Sequence, residues 1–326
     1  MVTILLTGAT GFVGTNFILQ LHKKYNIIAL VRKTSDIEKI KNYCKIYYYD
    51  DTIDSINNVF KSEKIDGVVH LAAYVLNSGH VLSDIHSMLY ANIDFGIKIL
   101  ELVKKLKITF FINTASSACY CNSLKYRPSS LYAATKKAFE DIMEYYTLTS
   151  NTVFSNLLFF YTYGSNPKQL FRLLQKVSQT NEELLMSDGS QIVDYSHVYD
   201  VVNGFDCLIE LIQKDPDFCK NKTFSLRGNE RKSLKEVVML YEKILGKKLN
   251  IKWGARPQRE LEIMIPWEGG EKLPNWDQKI SLKEGFAMLL NHELSQSGEI
   301  DIGNLPGGGI RYNYYSYFII DFLEVA

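Results

Sequence analysis

Tyr132 and Lys136, in Tyr132-Ala-Ala-Thr-Lys136, place a phenol and an ammonium four residues apart where a helical pattern begins. Positions i and i+4 share one helix face, so the two groups project together. A cation beside a phenol favours the phenolate and is expected to lower the Tyr132 pKa towards working pH, as a general acid/base requires. Upstream, Asn113-Thr-Ala-Ser116-Ser117 follows a strand-like run, which puts a hydroxyl where it can hydrogen-bond a substrate carbonyl beside the tyrosine. On its own, this Tyr/Lys spacing also arises as an exposed surface pair. The serine cluster sixteen residues upstream and a glycine loop at the start of the chain favour the catalytic reading.

That loop is Thr7-Gly8-Ala9-Thr10-Gly11-Phe12-Val13-Gly14, between a strand-like run and a helical one. Gly8 permits a tight turn, Gly11 lets backbone approach a pyrophosphate, and Gly14 lets the helix pack close to the sheet. Amides at the helix start offer donors and a favourable dipole to phosphate. Gly8, Thr10, Gly11, Phe12, Val13 and Gly14 are therefore the expected dinucleotide contacts. At the end of the second strand come Arg32 and Lys33, with no acid to hold a ribose 2′-hydroxyl. A guanidinium suits a 2′-phosphate, so NADP(H) is favoured over NAD(H); a solvated basic turn is the alternative. Asp50 or Asp51, after the third strand, either meets the adenine edge or caps a helix.

Apolar runs that position these groups alternate with helical stretches through the first half. Strands are expected at Thr3–Leu6, Ile27–Val31, Ile46–Tyr49, Gly67–Ala72, Thr109–Asn113 and Val153–Phe160. Helices are expected over Phe12 to Lys24, Ile53–Ser62, Tyr90–Lys105 and Ala133–Tyr146. Continuous apolar strands separated by helices predict an α/β fold, a doubly wound parallel sheet covered on both faces. Ligands of such sheets lie at the carboxyl ends of the strands. After Gly164 the alternation breaks down. Helices at Leu170–Gln179, Val201–Gln213, Leu234–Leu245 and Ser281–Leu290, with strands at Thr223–Leu226 and Leu249–Trp253, read as a smaller lobe. The expected division is a dinucleotide-binding part over 1–165, a substrate-binding lobe over 166–290 interleaved with the last sheet elements, and a tail over 291–326.

Composition narrows the classes. Of 326 residues, 46% are apolar and 22% charged, as in a chain with a sizeable core. Lys and Arg number 37 against 36 Asp and Glu, so no excess of charge points to nucleic acid or an anionic membrane. No apolar run reaches the 18 or more residues that span a bilayer, and the first residues lack the basic region of a signal peptide. Five cysteines without a CxxC or zinc-like His spacing predict no metal site and fit a reducing cytoplasm. His70 is expected to pack, Cys119 and Cys121 to be structural, and Trp253, Trp267 and Trp276 to form lobe core.

The glycine loop, Val68-Val-His-Leu-Ala-Ala73, the Ser116 cluster and Tyr132-Ala-Ala-Thr-Lys136 together resemble the extended short-chain dehydrogenase/reductases, the NAD-dependent epimerase/dehydratase family. Tyr163-Gly164, Asp188 to Asp194, Val198-Tyr-Asp200 and Ser281-Leu-Lys-Glu-Gly285 agree, so the likeness covers about residues 3–290. It implies a Rossmann fold, a Ser116–Tyr132–Lys136 catalytic group, Lys136 on the nicotinamide ribose, Leu71, Ala72 and Ala73 along the cofactor, and a nucleotide-sugar substrate. A homodimer is expected.

Departures from the family pattern narrow the chemistry. Sugar-nucleotide 4,6-dehydratases of the family carry Asp-Glu directly after the catalytic hydroxyl residue; Ser117 and Ala118 stand here, which argues against dehydration. Val193 replaces an arginine common near the substrate phosphates, and Tyr161 replaces a common asparagine. Arg256 and Arg259 remain as phosphate clamps, or else form a solvated basic loop, and Tyr74 and Ser117 are the other expected substrate contacts. Arg32, Tyr126-Arg-Pro and Trp253-Gly through Gln258-Arg-Glu-Leu-Glu-Ile-Met264 bring the chain near the CDP-3,6-dideoxyhexose synthases, of the abequose and paratose type. This resemblance implies NADPH-dependent reduction of a 4-keto nucleotide sugar for a bacterial surface polysaccharide. A nucleotide-sugar 4-epimerase with tightly held NAD and a non-catalytic NAD(P)-binding protein of the same fold are the alternatives.

Overall fold

The computed structural model describes residues 1–76, 79–165 and 170–297. The expected tail over 291–326, with Gly307–Gly309, lies outside the described residues from 298 onwards.

In chain order the first half runs β1 (Thr3–Thr7), α1 (Phe12–Leu21), β2 (Asn26–Arg32), β3 (Lys45–Tyr49), α2 (Ile53–Ser62), β4 (Gly67–His70) and α3 (Leu82–Leu89). A π-helical turn (Tyr90–Asp94) leads into α4 (Phe95–Lys105) and β5 (Phe110–Ser116). A 3-10 turn (Ser117–Cys119), α5 (Leu131–Thr149) and β6 (Val153–Phe159) follow. Next come β7 (Tyr161–Tyr163), α6 (Leu170–Thr180), β8 (Leu184–Leu185), β9 (Ile192–His197), α7 (Val198–Lys214) and α8 (Pro216–Cys219). The last elements are β10 (Lys222–Leu226), β11 (Arg231–Ser233), α9 (Leu234–Leu245), β12 (Ile251–Lys252), β13 (Glu271–Lys272) and α10 (Leu282–Ser297).

Eight strands form one parallel sheet in the order β3-β2-β1-β4-β5-β6-β10-β13. The chain winds outward from β1 to β3, then restarts at β4 on the other side of β1, so the order reverses between β1 and β4. This is the doubly wound Rossmann arrangement, with its ligand crevice at that reversal. Successive strand residues point to opposite faces, and both faces are covered. Ile4, Leu6, Ala29 and Ile112 pack with Phe17 of α1 and Phe205 of α7. Leu5, Ile28, Val68 and Phe111 pack with Ile56 of α2, Ile99 of α4 and Phe139 of α5. A smaller sheet, β11-β9-β7, stands apart from the large one, and β8 pairs with β12.

Several elements differ from expectation. The helical run before Lys105 starts at Leu82 rather than Tyr90, because Asp84 accepts the Val81 N–H at 2.8 Å and caps it. β9 carries Asp194, Ser196 and His197 in buried positions, so no apolar pattern announces it. Asp194 is satisfied there by Arg231 of β11 at 2.8 Å. The strand expected over Leu249–Trp253 shrinks to Ile251–Lys252. The three indoles do not form one lobe core. Trp276 joins the core of the large sheet and donates to the Asp200 carbonyl, Trp267 stacks on Tyr120, and Trp253 lies over Gly189. Among the described residues no helix is long and apolar enough to cross a membrane. No group of three or more His, Cys, Asp or Glu among them is arranged to hold a metal.

Candidate active site

Ser130 caps α5 by accepting the Ala133 N–H at 3.2 Å, which fixes Tyr132 in the first turn and Lys136 one turn on. β5 ends on Ser116, and the two hydroxyl residues meet there: the Ser116 hydroxyl is near enough to the Tyr132 phenol to draw its pKa downward. Ser116 Oγ also accepts the Ala118 N–H at 3.3 Å, which orients it. Tyr132 is 8% exposed and Lys136 2%. The expected lowering of the Tyr132 pKa does not occur. Burial penalises the phenolate and pushes the phenol up to about 12, against the opposing pull of the Ser116 hydroxyl. The lysine yields instead: burial draws its ammonium down to about 8, with Glu140 and then Cys119 opposing. In this arrangement Tyr132 is protonated at neutral pH, poised to donate to an oxygen.

Across the sheet reversal, the glycine loop is a backbone cradle. Gly8 has φ +66°, and a Cβ there would lie 2.7 Å from the Ala72 N and the Leu71 C. A Cβ on Gly14 would come within 2.3 Å of the Gly8 carbonyl oxygen. No side chain larger than hydrogen fits either position. Gly11 is the N-cap of α1, with no side-chain cap and no acid in the first turn, so the helix start is left for an anion. Thr10 is exposed at the turn, Phe12 reaches towards Gly164, and Val13 packs on the core. The Leu71 and Ala72 amides donate to the Thr7 carbonyl and hydroxyl, at 3.3 and 3.2 Å, which ties that loop to β1 with Ala73 next in line. The Lys136 ammonium makes no hydrogen bond among the described residues. The glycine cradle, the open helix start and this buried cation fit a nicotinamide dinucleotide.

Arg32 ends β2 beside Tyr49, whose phenol it draws downward against burial, and Arg32 and Lys33 are exposed. The cap of α2 is Thr52, whose side chain accepts the Ser55 N–H, and Asp50 braces it: its Oδ1 accepts the Thr52 hydroxyl at 2.6 Å and the Thr52 N–H at 3.3 Å. Asp51 accepts the Tyr90 hydroxyl at the other end of the same loop. His70 is buried among Phe95, Phe111 and Phe139, with Nδ1 2.9 Å from the Thr7 hydroxyl, and burial lowers its pKa to about 3.

The expected substrate residues lie on separate segments of the chain. Ser117 follows directly in the 3-10 turn. Tyr74 donates its hydroxyl to Asp84 at 2.8 Å. Arg259 forms a two-pronged pair with Glu262, at 2.7 and 2.8 Å, close to Tyr161. Arg256 is exposed, its backbone N–H bonded to the Met186 carbonyl. Val193 is buried and lies opposite Lys232, while the neighbouring Asp194 binds Arg231.

Sequence does not mark three further residues. Asn92, in the π-helical turn, accepts the Tyr74 N–H at 2.7 Å and donates to Thr135 at 2.9 Å, joining the loop after β4 to the catalytic helix. The π-helical turn falls where this buried amide turns inward. Glu140, one turn after Lys136, is held up at about 7 by burial, and the i+4 spacing was its only available signal. Asn122 has φ +49° and binds residues some 140 positions ahead, for which sequence carries no signal.

Residues 4–219 match the NAD dependent epimerase/dehydratase family. The CDP-abequose synthase of Salmonella typhimurium is 25% identical over 298 residues, covering 88% of this chain and 97% of that protein. The UDP-glucuronate 4-epimerase of Thermodesulfobacterium geofontis is 24% identical over 318 residues, covering 88% and 94%. Among solved structures, the UDP-glucuronic acid 4-epimerase from Bacillus cereus, in complex with UDP-glucuronic acid and NAD, matches with a TM-score of 0.78. It is 21% identical, and the match covers 90% of this chain and 99% of that one.

Proposed function

The chain belongs to the NAD dependent epimerase/dehydratase family, and on that premise we propose that it reduces the 4-keto group of a nucleotide-linked deoxysugar with NADPH. The kind of reaction is that of a CDP-abequose or CDP-paratose synthase, in the synthesis of a bacterial surface polysaccharide. The observation that carries the reading is the juxtaposition of the Ser116 hydroxyl and the buried Tyr132 phenol, with Lys136 buried one helical turn away and no carboxylate at 117 or 118. The pair supplies a proton and an alignment for one oxygen, and those two positions offer no acid and base for removing water.

When bound, the cofactor supplies the hydride; the protein supplies orientation and charge. The Gly8–Gly14 cradle and the start of α1 would hold its pyrophosphate, Lys136 its nicotinamide ribose, and Arg32 with Lys33 its 2′-phosphate. Tyr132, kept protonated by burial, donates to the C4 oxygen as charge develops there, and Ser116 fixes the direction from which that oxygen is met. Arg259, set on Glu262, and Arg256 would take the substrate phosphates.

A 4-epimerase would use the same three residues, and the likeness to UDP-glucuronate 4-epimerase keeps that as the second reading. Stoichiometry separates the two. Purified protein is mixed with NADPH and CDP-, GDP-, UDP- and dTDP-linked 4-keto sugars. The proposal expects one NADPH oxidised per product with one of them. Interconversion of 4-hydroxyl sugars without net consumption of cofactor would establish the epimerase instead.

A further inference from the structure

Ser116 and Tyr132 are joined by the loop 117–130, which closes on itself through three backbone bonds. Cys121 N donates to the Arg127 carbonyl, Arg127 N to that of Cys119 and Ser129 N to that of Ala118, each at 2.9 Å. Against this loop lies a distant segment, residues 261–267, two positions after Arg259. Ile263 packs against Ala118, Cys119 and Ala133, the last being the neighbour of Tyr132. Trp267 packs with Ala115, the neighbour of Ser116, and with Leu158. The segment therefore bears on the residue beside each catalytic hydroxyl.

Two fasteners hold it. The Trp267 indole stacks on Tyr120 with ring centroids 3.8 Å apart and planes 5° from parallel, and its Nε1 donates to the Leu124 carbonyl at 3.3 Å. Gly269 backs the ring, since a Cβ there would come 2.1 Å from the indole. Asn122 is the second fastener. Its Nδ2 donates to the Glu262 carbonyl at 2.8 Å, and its Oδ1 accepts the Met264 and Ile265 N–H groups at 2.7 and 3.2 Å. Its φ of +49° lies in the left-handed region, which asparagine and glycine adopt more readily than other residues. The Cys121 thiol adds contacts to the Leu261 and Glu262 carbonyls.

We propose that residues 261–267 act as a strap that sets Ser116 and Tyr132 in register, and that Asn122 is the positioning residue that latches it. The functional half of this inference rests on the reading above, in which Arg259 meets the substrate phosphates. Arg259 is paired to Glu262, and Glu262 presents its carbonyl to Asn122, so the residue that would take the phosphates and the loop carrying the acid are one mechanical unit. Binding energy from the nucleotide end of a substrate is thereby available for aligning the reacting end.

The test compares Asn122→Gly, which keeps the left-handed backbone and removes all three bonds, with Asn122→Asp. The aspartate keeps the acceptor and replaces the donor with a second oxygen facing the Glu262 carbonyl. Full-length proteins are digested with trypsin, and cleavage after Arg259 is followed by mass spectrometry; Arg256, before Pro257, resists the enzyme. Asn122→Gly should be cut on the order of tenfold faster there, the combined effect of three exposed hydrogen bonds. Its kcat/KM for the keto sugar should fall roughly 10–100-fold, with kcat lower and KM higher. NADPH affinity should stay at wild type, Tm should fall by no more than a few degrees, as about 1.4 kcal/mol of lost native stability allows, and Asn122→Asp should fall between the two. Wild-type cleavage and kcat/KM in Asn122→Gly would overturn the latch. So would a loss of NADPH affinity as large as the loss of kcat/KM, which a merely structural role produces. If wild type reduces no nucleotide sugar while Asn122→Gly is still cut faster, the latch stands and the substrate reading falls.

Discussion

On the cofactor side of the sheet edge, backbone meets backbone, within the glycine loop and between it and Leu71–Ala72. Gly8 and Gly14 leave no room for a Cβ, and the helix they open has no side chain over its first amides. On the substrate side the contacts are made by side chains and cross great lengths of chain. Asn122 reaches Met264, 142 positions on, and Trp267 reaches back 143 to Leu124. The family match ends at residue 219, so it contains the whole cradle with Ser116, Tyr132 and Lys136 but none of residues 261–267. A dinucleotide presents the same pyrophosphate to every protein that binds it, and one contiguous loop suffices to cradle that part. A sugar nucleotide varies at its base and its hydroxyls; on the proposed reading, the assembly of Tyr120, Asn122, Arg259 and Trp267 is what would meet that variation.

The comparison breaks most decisively at Tyr132, where the two sides join. Tyr132→Phe removes the hydroxyl and leaves the ring in its buried place. Turnover should fall by a factor on the order of 10²–10⁴, the usual worth of a positioned acid. The loss belongs in kcat more than in KM, because the proton is needed chiefly in the transition state. NADPH should bind as before, since the glycine cradle and Lys136 are untouched. Steady-state kinetics and a fluorescence titration read the two effects separately, and near wild-type turnover would remove Tyr132 from the chemistry.

The same division decides what was legible in the sequence. The large sheet could be read because its strands are continuous apolar runs, and the cradle because its glycines stand at fixed spacing in a strand–turn–helix setting. Ser116, Tyr132 and Lys136 were visible as residue types at a distance that a helix and a strand edge bring together. What stayed hidden was charge balance and tertiary pairing. The Tyr132 pKa moved opposite to expectation because burial, which spacing does not reveal, outweighs the only opposing influence on it, the Ser116 hydroxyl. β9 was invisible because Asp194 is buried against Arg231, a pairing 37 residues apart. Asn122 reads as an ordinary loop residue until the strap lies on it.

Arg32 tests the cofactor side alone. Arg32→Asp removes a guanidinium from the end of β2 and places a carboxylate there, repelling a 2′-phosphate and suiting a 2′-hydroxyl. Loss of a charge-assisted contact of about 1.5–3 kcal/mol corresponds to a drop in NADPH affinity on the order of 10–100-fold. NADH affinity should hold or rise, and KM for the sugar at saturating cofactor should not move. Equal losses for both cofactors would place the 2′-phosphate elsewhere and leave Arg32 as a solvated turn residue.

The smallest effect is the dependence of cofactor affinity on pH, and it refines the seam between the two sides. Burial brings the Lys136 ammonium down to about 8. The charged or titratable groups facing it are Glu140 on its own helix, Cys119 from the loop after β5, and His70 from β4. Glu140 is the strongest of those that favour the cation. Below pH 8 the lysine is charged and can donate to a ribose hydroxyl; above it the charge and one donor are lost. NADPH affinity should therefore fall several-fold as pH rises from 7 to 9, an effect of less than the ten-fold change in protonation per pH unit. The phenol, held at about 12, stays protonated throughout this range, so the decline is not its titration. Lys136→Met should flatten the profile. Glu140→Gln should shift the fall to lower pH, because removing the carboxylate takes away the main influence that keeps the ammonium charged. Fluorescence titrations at each pH measure this directly. A wild-type affinity that stays level from pH 7 to 9 would mean that Lys136 carries no titrating contact to the cofactor, and the ribose would have to be held from the substrate side.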